Sequence, residues 1–196
     1  IVISGAGAAG IAVTKILLFF GFKNIILLDS RGIIYEGRKE GMNWAKDEIA
    51  KETNLEKIQG GLAEAARGAD IFVGVSQPNI LTKEMVKIMA NNPIIFAMAN
   101  PIPEIMPNEA QEAGAKLIAT GRSDFPNQVN NVLAFPGLFK GVLGARIKKI
   151  TMEMKVAAAK ALADYVKNPV PEYFIPSPFD PGVAEAIAQA VVKASK

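Results

Sequence analysis

Gly5, Gly7 and Gly10 form a G-x-G-x-x-G run within IVISGAGAAG, with a short apolar stretch before it and a helix-compatible one after it. In that context each glycine has a chemical reason. Gly5 permits a tight turn, Gly7 lets the backbone approach a pyrophosphate, and Gly10 lets the helix lie close to the strand, with free N–H groups at its N-terminus facing the anion. A merely tight strand-to-helix turn is the alternative for the glycines alone. Asp29 ends a second apolar run, where an acid can accept hydrogen bonds from the two hydroxyls of an adenosine ribose. The acid repels a 2′-phosphate and so favours NAD over NADP. The adjacent Ser30 and Arg31 offer a hydroxyl and a guanidinium that could hold that phosphate instead, although Arg31 also reads as a solvated loop residue.

In an open parallel sheet, ligands bind beyond the carboxyl ends of the strands. Polar residues gather at such ends here, in Gly74-Val75-Ser76-Gln77, in Asn100-Pro101-Ile102-Pro103-Glu104 and in Gly121-Arg122-Ser123-Asp124. Asn100 could donate to a carboxylate or carboxamide, or it could cap its own turn. The segment from Ser123 to Asn131 carries Asp124, Asn127, Gln128, Asn130 and Asn131 ahead of an apolar run. Amides so placed read as partly buried and aimed at a ligand, because unpaired burial is costly. No convincing catalytic base or metal cage is found in the chain. Glu48 with Glu52 and Asp47 with Lys51 have helical spacing and read as solvated helix faces.

With 196 residues, half of them hydrophobic and 21% charged, the chain is long enough for a real core and neither disordered nor fibrous. No apolar run approaches the roughly 20 residues of a membrane span. Histidine and cysteine are absent, which removes disulfides, zinc sites of the usual kind, cysteine nucleophiles and a histidine base. The net charge of +3 comes from scattered residues without interleaved aromatics, so nucleic acid is not an expected partner. The chain starts at Ile1 within a strand-like run, with no targeting segment ahead of it, and is expected to be a fragment or a processed chain.

Positioning these groups requires repeated βα units. Short apolar runs at Ile1 to Ser4, Asn24 to Leu28, Asp70 to Val75, Pro93 to Met98 and Lys116 to Thr120 are nearly continuous rather than alternating. That pattern predicts an α/β fold whose mainly parallel sheet is covered on both faces by helices. Helices are expected at Ala8 to Phe20, Met42 to Thr53, Leu62 to Ala66, Thr82 to Met89 and Asn108 to Ala113, with Thr82 as a start signal. After Thr120 the pattern turns helical, near Phe135 to Leu143, Thr151 to Val166 and Val183 to Ser195. Asn168 to Gly182 holds five of the twelve prolines and reads as an extended connection. The expected organisation is one domain over 1–196, with a sheet core to about residue 120 and a helical C-terminal extension over about 121–196 packed on it.

The GAGAAG run, the DSRG turn at Asp29 to Gly32, GVS at Gly74 to Ser76, FAMANPIPEI at Phe96 to Ile105 and ATGRSDFPNQVNNVLAFPG at Ala119 to Gly137 together resemble the NAD(P)-binding domain of malic enzymes, most closely the short bacterial and archaeal type. The resemblance covers nearly the whole chain and weakens after about Ala163. It implies a Rossmann-like, doubly wound fold and oxidative decarboxylation of (S)-malate to pyruvate and CO2, with reduction of NAD or NADP and a Mg or Mn ion. By this similarity Gly5, Ala6, Gly7, Ala8, Ala9 and Gly10 hold the pyrophosphate, Asp29 with Ser30 and Arg31 the adenosine ribose side, and Val75 and Ser76 lie along the cofactor. Asn100 and Asn130 match malate-contacting asparagines, Asn100 also bordering the cofactor, and Asn131 faces the nicotinamide. The family's catalytic tyrosine and lysine and its acidic metal ligands lie upstream of the glycine turn, in a catalytic N-terminal domain absent here. The resemblance therefore implies no catalytic residue and no metal ligand in this chain, which should bind dinucleotide without turning over malate. It also implies a cytoplasmic enzyme, usually dimeric, and leaves open a malolactic enzyme that makes lactate. Outside the family, a non-catalytic dinucleotide-binding or redox-sensing module remains the other reading.

Overall fold

A computed structural model describes residues 1–196, which divide into two compact units, 1–122 and 123–196. The first unit alternates strands and helices: β1 (Val2–Ser4), α1 (Ala8–Phe19), β2 (Ile26–Asp29), β3 (Gly32–Ile33), α2 (Trp44–Ala50), α3 (Leu62–Ala66), β4 (Ile71–Gly74), α4 (Lys83–Lys87), β5 (Ile94–Ala97), α5 (Pro107–Glu112) and β6 (Leu117–Thr120). The six strands form one sheet in the order β3-β2-β1-β4-β5-β6, parallel except for β3, which runs antiparallel to β2. The five apolar runs are therefore the five parallel strands. β3 is an addition at the edge, and its two residues are too few to show any periodicity.

Successive residues of the central strands point to opposite faces, as the pleat requires. Val2, Leu28, Phe72 and Ile95 enter one core with Ala65, Val86 and Ala110. Their neighbours Ile3, Leu27 and Val73 enter the other with Ile25, Ile49 and Ala50. Both faces are thus buried, which is why the strand sequences are continuously apolar. Thr82 caps α4 by accepting from the Met85 N–H, and Asn43 caps α2 by accepting from the N–H groups of Ala45 and Lys46. The helix expected from Met42 is shorter at both ends because Asn43 starts it and Lys51 closes it.

The second unit contains a 3-10 turn at Asn131–Leu133 and helices α6 (Phe135–Gly144), α7 (Met152–Tyr165) and α8 (Val183–Ala194). Met154, Ile187 and Val191 are fully buried at its centre. Gly137 and Gly141 lie one turn apart on α6, and a Cβ there would come within 2.6 Å of the Ala184 carbonyl oxygen and 2.8 Å of the Ala188 one, so only glycine allows α6 and α8 this close. The proline-rich connection is tied down near its C-terminal end: Tyr165 Oη donates to the Pro181 carbonyl at 2.6 Å and Tyr173 Oη to Asp180 at 2.5 Å.

Candidate functional site

In the first unit β1 pairs with β2 on one side and β4 on the other, so the strand order reverses direction at β1. A crevice outside the carboxyl ends is expected at such a switch point. A cleft of about 610 Å³ lies there, lined among others by Gly5, Gly7, Asp29, Lys46, Leu62 and Ser76. The three glycines hold the geometry expected of them. Gly5 has φ +115°, and a Cβ on it would lie 2.6 Å from the Val75 carbonyl oxygen. At Gly10 a Cβ would run into the Gly5 carbonyl oxygen, which brings α1 down onto the turn, whereas one at Gly7 would meet nothing within 4 Å. Gly7 is the N-cap of α1 and no side chain caps it, so the first-turn N–H groups and the helix dipole face the cleft unmasked by any acid of the first turn.

The turn after β2 differs from the expectation. The sequence presents Asp29 as an acceptor for ribose hydroxyls, yet both oxygens of its carboxylate already accept hydrogen bonds within the chain. Its Oδ1 accepts from the Arg31 N–H at 2.9 Å and from Arg38 Nη1 at 3.0 Å, and its Oδ2 from Arg38 Nη2 at 2.5 Å and Lys46 Nζ at 2.6 Å. Four donors meet the roughly four lone-pair directions of a carboxylate. Burial pushes the Asp29 carboxyl up, but hydrogen bonds from Arg38, Lys46 and the Arg31 N–H outweigh it and hold it well below the usual carboxylate range. One negative charge between two cations leaves the cluster net positive, so the repulsion that would favour NAD over NADP does not follow from this acid. Arg31, considered for a phosphate, pairs its guanidinium with Glu40, and Ser30 is exposed.

Arg38, buried in the loop before α2, and Lys46, on the first turn of α2, were not singled out from sequence. Their signal was indirect: a carboxylate that becomes buried at a strand end must find cations. Leu62 and Ile80 supply apolar wall to the same cleft and were also missed.

Val75 and Ser76 follow β4. The Val75 N–H donates to the Ser4 carbonyl at 2.9 Å, and the hydroxyls of Ser76 and Ser4 lie 3.0 Å apart. Asn100 follows β5, is exposed, precedes a cis peptide bond to Pro101, and its amide makes no hydrogen bond in the structure, so it does not cap its turn.

In the second unit, Asn130 and Asn131 are both exposed; Asn130 Oδ1 accepts from the Val132 N–H at 3.0 Å and starts the 3-10 turn. Asn127, in the amide-rich segment read as aimed at a ligand, is instead a structural tether. It is 6% exposed, its Nδ2 donates to the Pro171 carbonyl at 2.8 Å, and its Oδ1 accepts from the N–H groups of Phe174 at 2.8 Å and Ile175 at 3.3 Å. No three acidic side chains come together in a way that could hold a metal ion. No helix is long and apolar enough to cross a membrane.

Strand order, the glycine turn and a cleft at the switch point define a dinucleotide-binding domain of the Rossmann-like class. The family described as "Malic enzyme, NAD binding domain" matches residues 1–195, and the chain belongs to that family. The chain is 56% identical over its whole length to the bifunctional malic/malolactic enzyme of Bacillus subtilis, of which it spans 48%. It is 47% identical, again over its whole length, to an NADP-dependent malic enzyme of Rhizobium meliloti, of which it spans 28%. The crystal structure of an NAD-dependent malic enzyme from Thermotoga maritima superposes with a TM-score of 0.94 at 48% identity, over 97% of this chain and 50% of that one. The chain thus spans half or less of the length of these relatives.

Proposed function

We propose that this chain is the cofactor-binding part of an enzyme that oxidatively decarboxylates (S)-malate to pyruvate and CO2 with reduction of NAD or NADP. Residues 1–196 then act as one NAD(P)-binding domain, and the catalytic groups and the Mg or Mn ligands are supplied from outside these residues. The dinucleotide, when bound, accepts hydride. The residues of the first unit hold and orient: Gly5, Ala6, Gly7, Ala8, Ala9 and Gly10 cradle the pyrophosphate, Val75 and Ser76 border the cofactor, and Asn100, which also borders it, directs its amide to malate. Amides suit a dicarboxylate because they orient it without adding charge that competes with a metal. The observation that carries the reading is the pairing, on one sheet edge, of an open glycine turn at Gly7 with an unpartnered exposed amide at Asn100. The net positive Asp29–Arg38–Lys46 cluster supports use of both dinucleotides, with the Lys46 ammonium, held by Asp29 and the Gly41 carbonyl, as the cation that lines the cleft nearest a 2′-phosphate.

Calorimetric titration of the chain with NAD and, separately, NADP tests this. Both bind, Lys46→Ala weakens NADP about tenfold more than NAD, and purified chain with malate and metal forms no reduced dinucleotide. Absence of binding by either, or robust malate-dependent turnover by the chain alone, overturns it. The likeness to a bifunctional malic/malolactic enzyme favours lactate as a second product with the dinucleotide retained, and a lactate assay on the whole enzyme decides. A redox-sensing module needs no malate-directed amide, so an Asn100→Ala variant that weakens NAD itself would favour that class. A cytoplasmic homodimer is the assembled form this reading carries, checked by sedimentation of the complete protein.

A further inference from the structure

Glu104 has no part in the reading above, yet it is fully buried in the loop after β5. Its carboxylate lies flat against β4, where a Cβ at Gly74 would collide with it. Oε1 accepts from the Ser76 N–H at 3.0 Å and Oε2 from the Ala99 N–H at 2.9 Å. The first of these residues borders the cofactor cleft; the second immediately precedes Asn100. The Glu104 main chain adds a third link, its carbonyl accepting from the Leu81 N–H at 3.0 Å, beside the Asn79 N–H donating to the Pro103 carbonyl at 3.0 Å.

No cation pairs with this carboxylate. An apolar residue of similar volume would leave the Ser76 and Ala99 N–H groups without this acceptor, which is costly where they are buried. What an apolar residue cannot do is accept two backbone N–H groups from two different strand ends at once. We propose that Glu104 is the positioning residue that couples the cofactor wall at Ser76 to the substrate amide at Asn100, so that filling the dinucleotide cleft sets the Asn100 loop. Resting on the proposed dinucleotide site, this adds to it a residue through which the cofactor and substrate sides communicate. Such coupling is reciprocal: a ligand that orders one loop orders the other.

Amide hydrogen exchange on the full chain, with NAD and NADP as probes, tests it. In the unsubstituted chain a saturating dinucleotide slows exchange at Ala99 as well as at Ser76. Glu104→Gln replaces one acceptor oxygen with an NH2 group, so one of the two amides exchanges about tenfold faster without ligand, and dinucleotide no longer protects Ala99. Amides of Phe72 and Ile95 in the strand cores stay as slow as before; a purely structural role would speed all four together. Gly74→Ala attacks the same carboxylate from the strand side and should give the same decoupling. The proposal falls if dinucleotide protects the glycine turn but not Ala99 in the unsubstituted chain, or if Glu104→Gln leaves both amides protected. Should neither dinucleotide bind, the cofactor reading fails by itself, and ligand-free exchange at Ser76 and Ala99 in Glu104→Gln still decides: unchanged rates remove the tether, faster rates keep it.

Discussion

The strand ends of β2 and β5 each present one polar side chain to the same edge of the sheet and treat it in opposite ways. Asp29 is locked, with donors on both oxygens and two cations beside it; Asn100 is bare, exposed and without a partner. The locked residue makes a fixed electrostatic surface whose net sign differs from that of the residue itself. The bare one keeps its hydrogen-bonding capacity for something outside the chain. Function at a strand end therefore depends less on residue type than on how many of its bonds the fold has already made.

The largest expected effect breaks the locked end. Asp29→Ala leaves the buried Arg38 without its partner, and such a loss costs about 3–5 kcal/mol. Chemical denaturation should show this as a lower midpoint with an unchanged slope. The sign with pH follows from a carboxyl held below its ordinary range: its contribution is complete above the unfolded value near 3.9 and is lost as pH falls from there through the folded value. Asp29→Asn should accordingly flatten the stability curve below about pH 4. Equal acid sensitivity in both proteins would mean that Asp29 is not locked.

A smaller effect separates glycines that serve the fold from one that serves a ligand. Gly10→Ala drives a methyl into the Gly5 carbonyl and should destabilise the chain by about 1–3 kcal/mol. At Gly7 the space is open, so Gly7→Ala should change stability by under about 1 kcal/mol while lowering dinucleotide affinity about tenfold or more. If the two variants lose stability equally, Gly7 is a structural glycine and the open turn is not a cradle.

Much of the first unit is legible in the sequence because its signals are local. Continuous apolar runs mark the five parallel strands, and the strand, glycines and helix of residues 1–19 are contiguous. What escaped notice depends on distance along the chain. Arg38 and Lys46 reach Asp29 only once the loop before α2 has folded back, and two residues of β3 carry no pattern. Asn127 misleads for the same reason, since its partners at Pro171, Phe174 and Ile175 lie more than forty positions away in the proline-rich connection. An amide-rich segment in sequence does not reveal which amide the fold will consume. Asn100 could be picked out because its neighbours are a strand and a proline, but its freedom from partners is a fact of structure alone.

The smallest effect on the fold belongs to the bare end. Since Asn100 makes no bond within the chain, Asn100→Ala should shift stability by no more than about 0.5 kcal/mol, far less than any change at Asp29. Its dinucleotide affinity should stay within about twofold of the original, because its amide is directed to malate in the proposed reading. In the complete enzyme the same change should raise KM for malate about tenfold or more while KM for the dinucleotide holds, the split expected when an orienting contact to one substrate is removed. A loss of stability comparable to that of Asp29→Ala would show that the amide has an internal partner. A fall in dinucleotide affinity with malate KM unchanged would move Asn100 from the substrate side to the cofactor side, and the contrast between the two strand ends would become one between two parts of a single cofactor site.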